Sequence, residues 1–308
     1  MRTVMYRYKN VLVCLNLSQV DPTVIRYAGL LTRLARSARA SFIHVVSKAS
    51  LPDSFLTEYP QLAPAVDDMM RQRLVDSVEA EFQGFEGTER TFTVLQGDKL
   101  TELLARIRDD GVDLVILGRK REQTGHDSLE KQLTRKAPCS VLIVPEGRAP
   151  AITHVLCAVD FSESSGRALD KALLYCRNLG LPSLDAVHYY DLPTGYYKTG
   201  LSADEFAAKL EPHLHREFDD FAAKVDCSGV EVRRTVRRAG DLTRALGDEV
   251  RDLGADFLVL GSRGRSATAS MFVGTLPEKL IWTTNIPMLV VKEKGEGAGL
   301  LKLLLDRL

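Results

Sequence analysis

The sequence is short of the features that mark several large functional classes. Its five cysteines, Cys14, Cys139, Cys157, Cys176 and Cys227, form no C-x-x-C pair, which argues for buried free thiols in a reducing compartment rather than a zinc or disulfide framework. Neither sign of charge is in excess: 41 basic and 41 acidic residues give a net charge of +0. That removes the electrostatic case for nucleic acid or an anionic membrane as partner. No uninterrupted apolar run is long enough to span a bilayer, and Met1 to Asn10 has no apolar core of the secretory kind. A cytoplasmic protein with neither nucleic-acid nor membrane partners is expected.

What the chain does have is length and repetition. Its 308 residues, 45% hydrophobic and 27% charged, suit two globular domains, each with its own core. Leu15-Asn16-Leu17-Ser18 reappears as Val159-Asp160-Phe161-Ser162, and Ile43-His44-Val45 as Val187-His188-Tyr189, both 144 positions further on. Gly97-Asp98 returns as Gly240-Asp241, and the run from Asp113 to Gly118 as that from Asp256 to Gly261, both 143 positions on. So steady a shift implies two tandem domains of one fold.

Each half alternates apolar runs with amphipathic stretches. The strand candidates are Val11–Leu15, Ser41–Val46, Arg90–Leu95, Asp113–Leu117 and Val141–Val144, then Val155–Val159, Leu184–Tyr190, Val230–Val236, Asp256–Leu260 and Met288–Val291. Consecutive apolar residues, as in Phe257-Leu258-Val259-Leu260, belong to parallel strands covered on both faces. Helices are predicted over Pro22–Ser37, Asp67–Phe85, Lys99–Asp110, Ser164–Leu179, Asp204–Val225 and Asp241–Leu253. The expected architecture is α/β, two doubly wound five-stranded parallel-sheet domains over residues 1–147 and 152–292. Pro145 to Pro150 forms a short linker. Residues 293–308 form a tail ending in six leucines within Leu300–Leu308, expected to dock on this protein or a partner.

In an open parallel sheet, ligands bind at the carboxyl ends of the strands. In the second half those ends carry Asp160-Phe161-Ser162 and Gly261-Ser262-Arg263-Gly264, with Gly274-Thr275 ten residues beyond. The glycines let backbone N–H groups approach an anion, and a helix opening at Gly274-Thr275 adds N–H donors and a favourable dipole. Arg263 and Arg265 bring positive charge, and Asp160 is placed to accept hydrogen bonds from a sugar. The pattern points to a polyphosphate. It is neither a P-loop nor a dinucleotide fingerprint, since G-x-x-x-x-G-K-[ST] is missing and the first β-α turn has no glycines.

These segments, with Ile286-Pro287-Met288-Leu289-Val290-Val291, resemble the universal stress protein family in its ATP-binding branch, from about His154 to Lys292. The first half resembles the same family in outline. The resemblance implies an adenine-nucleotide alpha-hydrolase-like fold, with ATP as ligand, with or without Mg, and a homodimer or higher assembly. It places adenine and ribose contacts at Ala158, Asp160 and Tyr189, and phosphate contacts at Leu260, Gly261, Gly264, Gly274, Thr275 and Leu276. Tyr189 and Pro277 depart from the family's usual residues; a ring at Tyr189 either stacks on adenine or crowds it.

The first half is expected not to bind ATP. Its loop reads Gly118-Arg119-Lys120-Arg121, so Arg121 replaces a glycine, and it is shorter by four residues. Counting back from the last strand sets Asp127-Ser128 opposite Gly274-Thr275, and Asn16 stands where Asp160 does. The site is read as empty or filled by its own side chains, the alternative being another anion held by Arg119, Lys120 or Arg121. His44 and His188 read as hydrogen-bonded core or strand-end residues, His213 and His215 as a solvated pair without metal, and Asp98 and Asp241 as helix caps. With no base poised for chemistry, no catalytic residue is assigned. The expectation is a nucleotide-binding stress-response or signalling protein; a slow ATPase and a structural dimerisation module remain as alternatives.

Overall fold

The computed structural model describes residues 8–46, 58, 62–120, 128–264 and 275–296. The chain is an α/β protein with a parallel-sheet core. It divides into two compact units, one running to Pro150 with the segment from Glu293, the other Ala151–Lys292.

In the first unit the order is β1 (Asn10–Leu15), α1 (Asp21–Ala35), β2 (Arg39–Val46), α2 (Leu62–Glu81), β3 (Glu89–Gln96), α3 (Lys99–Asp109), β4 (Leu114–Arg119), α4 (Leu129–Lys136) and β5 (Ser140–Pro145). The strands lie in the order β3-β2-β1-β4-β5, paired in parallel. The second unit holds β6 (Val155–Ala158), α5 (Glu163–Leu179), β7 (Ser183–Tyr190), α6 (Ala203–Ala222), β8 (Glu231–Arg238), α7 (Leu242–Asp252), β9 (Phe257–Gly261), α8 (Thr275–Thr283) and β10 (Met288–Val291). Its order, β10-β9-β6-β7-β8, is again parallel. In each unit the first and fourth strands lie side by side, and the chain leaves them in opposite directions across the sheet. Their carboxyl ends therefore frame a crevice.

Consecutive burial explains the apolar runs. Leu114, Val115 and Ile116 on β4, and Phe257, Leu258 and Val259 on β9, are fully buried, as only strands covered on both faces can be. The aspartates expected to open these strands lie outside them. Asp113 Oδ2 accepts the N–H groups of Lys9 and Asn10 at 2.8 and 2.9 Å. Asp256 takes those of Thr153 and His154 at 2.8 and 2.9 Å. Each carboxylate thus ties down the chain entering the unit's first strand. In the first unit Lys294 Nζ also reaches Asp113 Oδ1, at 2.7 Å.

The helices start where side chains can satisfy their first N–H groups. Ser162 caps α5, Ser202 caps α6 in a full capping box with Glu205, and Asp98 and Asp241 cap α3 and α7. Gly180 ends α5 in a left-handed conformation, as its place in the sequence suggests. The edge strand β8 carries Arg233, Arg234, Arg237 and Arg238, paired with Asp185, Asp219, Glu249 and Asp204. Four ordered guanidinium groups make that edge a poor template for another strand. All five cysteines are free and four are buried. Burial raises the Cys176 thiol to about 11 and makes it a poor nucleophile.

Asp98 Oδ2 accepts from both the N–H and the hydroxyl of Thr101, and these bonds hold its carboxyl below the ordinary carboxylate range. Asp98→Ala should therefore lower stability at neutral pH by about 1 kcal/mol, the usual worth of such a cap. The capping contribution is complete above the unfolded-state pKa of aspartate and fades as pH falls through the lower folded one. Urea denaturation of the two proteins should give midpoints that differ at pH 7 and converge in acid.

Candidate functional site

The crevice of the second unit is built on one turn. After β6 the chain passes through Asp160, Phe161 and Ser162 into α5, with Phe161 left-handed at φ 64. A residue with a Cβ adopts this backbone only when its surroundings impose it. Here the surroundings are aromatic and polar together. The Phe161 ring lies 4.1 Å from that of His188 and packs against Phe218 and Phe221 of α6. His188 Nδ1 sits 2.9 Å from the Val159 carbonyl, so Nδ1 carries the proton. The histidine thus holds the strand end and the ring that follows it.

Asp160 Oδ1 accepts from Ser162 N at 3.1 Å and from Ser162 Oγ at 2.6 Å. Its own N–H donates to Ser165 Oγ at 3.3 Å. Across the crevice, at the end of β9, Ser262 is buried and its hydroxyl lies 3.4 Å from that of Ser164. Arg263 N donates to Ser164 Oγ at 3.3 Å. A Cβ on Gly264 would lie 3.1 Å from Asp160 Oδ2, so loop and carboxylate meet. The structure therefore brings Asp160, Arg263 and Gly264 together, with Ser162, Ser164, Ser165 and Ser262 bracing them. Ser162 and Ser262 lie within the two motifs read from the sequence, whereas Ser164 and Ser165 belong to neither. Their signal was small polar residues at two strand ends that the fold makes neighbours.

The other predicted site residues fall as follows. Ala158 ends β6, partly exposed, and Gly261 ends β9. Leu260 is 2% exposed, so only its backbone is available to a ligand. Thr275 is the first residue of α8, Leu276 is half-buried, and Pro277 stands in the helix's first turn, where its missing N–H is not needed. Gly274 and Arg265 lie outside the described residues. Tyr189 is half-buried, and its hydroxyl donates to Glu249 Oε2 at 2.8 Å and approaches Ala245 O at 3.1 Å. Burial and the bond to Glu249 raise its pKa. The ring is thereby fixed to α7.

Gly261 has a role the sequence did not reveal. A Cβ there would sit 2.6 Å from Ser164 Oγ and 2.8 and 2.9 Å from the backbone of Ser164. A Cβ on its counterpart Gly118 would meet side-chain methyl groups of Val20 and Val24 in the first unit, at 2.4 and 2.8 Å. In both units this glycine lets the fourth strand end against the N-terminal region of the first helix. Gly264 has no such constraint, and its counterpart is Arg121, which lies outside the described residues along with Asp127.

The first unit repeats the scaffold and moves the charge. Leu17 is left-handed at φ 53, and His44 Nδ1 lies 2.9 Å from the Leu15 carbonyl. Asp21, at the position of Ser165, accepts the N–H groups of Asn16 at 3.1 Å and Ser18 at 3.3 Å. It is buried, and the desolvation raises its pKa against those hydrogen bonds. Asn16 Oδ1 in turn accepts from Lys99 Nζ at 3.3 Å. The acid is spent inside the turn in the first unit and stands at its lip in the second. Arg119 is buried, whereas Lys120 is exposed.

The family comparison decides the identity of the scaffold: the universal stress protein family matches residues 7–145 and again 151–292. The chain belongs to the universal stress protein family. Among solved structures it is similar to a universal stress protein from Archaeoglobus fulgidus DSM 4304, at 18% identity and a TM-score of 0.63, covering 93% of this chain and 99% of that one. A functionally unknown protein from Pseudomonas aeruginosa PAO1 is 16% identical with a TM-score of 0.63, covering 99% of both chains. A putative universal stress protein from Pseudomonas aeruginosa UCBPP-PA14 is 17% identical with a TM-score of 0.62, covering 98% and 99%. Such identities show the shared fold. No curated protein matches the sequence. Two universal stress protein repeats thus account for nearly the whole chain. Among the described residues no helix is long and apolar enough to cross a membrane, and no cluster of three His, Cys, Asp or Glu residues could hold a metal ion.

The two glycines should respond differently to substitution. Gly261→Val should strongly destabilise the second unit, because its side chain would meet helix backbone. Gly264→Val should leave it folded, since only a carboxylate oxygen is near and the loop is exposed. Thermal denaturation followed by circular dichroism distinguishes them; equal losses would contradict this division of roles.

Proposed function

We propose that the second unit binds ATP, with or without Mg, and that the protein acts in stress response or signalling through nucleotide-dependent binding or assembly rather than through catalysis. The observation that carries this reading is the meeting of Asp160 with the Arg263-Gly264 loop at the crevice between β6 and β9. In that reading Asp160 accepts from the ribose and Tyr189, anchored through its hydroxyl, offers a ring face to adenine, with Ala158 beside it. Gly264, Gly274 and the first turn of α8, with Thr275 and Leu276, receive the phosphates. Arg263 adds positive charge, and Leu260 and Gly261 contribute backbone.

Binding is favoured over hydrolysis by the state of the acid. Asp160 is engaged by both the N–H and the hydroxyl of Ser162 and already neighbours the loop, which suits a hydroxyl acceptor better than a base for water. We further propose that the halves are separate doubly wound units, that the protein is cytoplasmic, and that it works as a homodimer or larger homo-oligomer. The leucines at 300–308, on which part of that assembly was expected to rest, lie outside the described residues.

The test is calorimetric titration of ATP into the full chain and two variants. Gly264→Val and Asp160→Ala should each weaken binding at least tenfold, while Asn16→Ala, at the matching place in the first unit, should leave it unchanged. Wild-type affinity in both second-unit variants would refute the assignment.

A further inference from the structure

Leu242 opens α7 and is 38% exposed, although it lies on the helix's buried face. Leu246, four residues on, is fully buried, and Glu249 and Val250 follow it inward. A leucine one turn before a fully buried one stays exposed where the sheet beneath has already ended. Leu242 therefore overhangs the carboxyl end of the sheet, where the crevice of the second unit opens.

The first unit shows how far a side chain at this place reaches. Its crevice is lined by Asn16 after β1, by Val45 on β2, and by Lys99 and Leu103 of α3. The repeat sets Asp160, Tyr189, Leu242 and Leu246 at those positions, at the same shifts of 144 and 143. Asp98 and Asp241 cap the two helices at matching places, so the equivalence holds in the structure. Lys99 Nζ lies 3.3 Å from Asn16 Oδ1, and its side chain thus spans the mouth from helix to turn. Leucine cannot make such a bond. In the second unit the same place presents apolar surface to the mouth that Asp160 borders. Tyr189 supplies the inner wall. Its hydroxyl is tied to Ala245 O and Glu249 Oε2, so the ring runs along α7 just inside Leu242.

We propose that Leu242 is the outer wall of the base site and, with Tyr189, makes the site select purine over pyrimidine nucleotides. The proposal rests on the nucleotide reading of this crevice. A ribose at Asp160 sets the base between the Tyr189 ring and Leu242. Leu242 has no hydrogen-bonding side chain, and the tyrosine hydroxyl is engaged with α7. Such walls respond to ring area rather than to a pattern of donors, and a two-ring base covers more of both than a one-ring base.

ATP and CTP are titrated calorimetrically into the full chain, Leu242→Ala and Leu242→Met. The unsubstituted protein should bind ATP roughly tenfold more tightly than CTP, the scale expected of added apolar and stacking contact. Leu242→Ala should weaken ATP about fivefold, as befits losing the partial burial of one leucine, and CTP by less. Leu242→Met, which keeps apolar reach, should retain the preference. Melting temperatures of both variants should match the unsubstituted protein, because the side chain stands at the mouth. Unchanged ATP binding in Leu242→Ala, equal losses for ATP and CTP, or CTP bound as tightly as ATP overturns the proposal and leaves the nucleotide site standing. No ATP binding by the unsubstituted chain overturns both.

Discussion

A hydrogen bond from an imidazole to a main-chain carbonyl underlies both crevices. His44 and His188 each reach back from the second strand of their unit to a carbonyl at the end of the first, that of Leu15, the last residue of β1, and that of Val159, the residue after β6, at the same 2.9 Å. That bond holds the strand end in place. The next residue but one is then forced left-handed, at Leu17 and Phe161, although neither is glycine. The forced turn aims the first helix, and the helix's N-terminal region receives the end of the fourth strand so closely that only glycine fits. Strand end, turn, helix and loop are thus one mechanical unit, repeated twice.

On this common frame the two units differ in where the charge is put. The second unit uses the Ser165 hydroxyl to hold the turn and leaves its carboxylate, Asp160, facing the glycine loop. The first unit uses a carboxylate, Asp21, for the holding and presents an amide, Asn16, instead. Two differences, Asn16 for Asp160 and Asp21 for Ser165, move the negative charge from the lip of the turn to its inside. Lys99 then gives the first crevice a polarity of its own. Duplication of a scaffold lets a few charges be relocated without change to the packed strands beneath.

The fold was legible because its signals are local and redundant. Runs such as Leu114 to Leu117 announce strands buried on both faces, Gly180 announces a helix end, and the second copy corrects the reading of the first. Helix caps at Asp98 and Asp241 were equally plain, since a cap is written within four residues. What could not be read depends on neighbours distant in sequence. Asp113 and Asp256 looked like strand residues and prove to be acceptors for chain more than a hundred residues away. Gly261 looked like a phosphate-binding glycine, and its packing against Ser164 explains it without a ligand, which leaves Gly264 as the more informative of the two. Ser164 belongs to no motif, and Ser262, though inside the glycine loop, shows its contact with Ser164 only in the folded chain. Tyr189 departs from the family pattern, and its tie to Glu249 becomes visible only when α7 is laid against β7.

The central claim is that one crevice keeps the arrangement for a nucleotide and the other does not. Acid extraction of freshly purified full-length protein, with the released nucleotide identified and counted per chain by chromatography, tests it most directly. The account predicts one adenine nucleotide per chain when the protein is purified with ATP present. Two per chain would show that the first unit's relocated charge does not exclude nucleotide, and none would show that the Asp160 and Gly264 arrangement is not a nucleotide site.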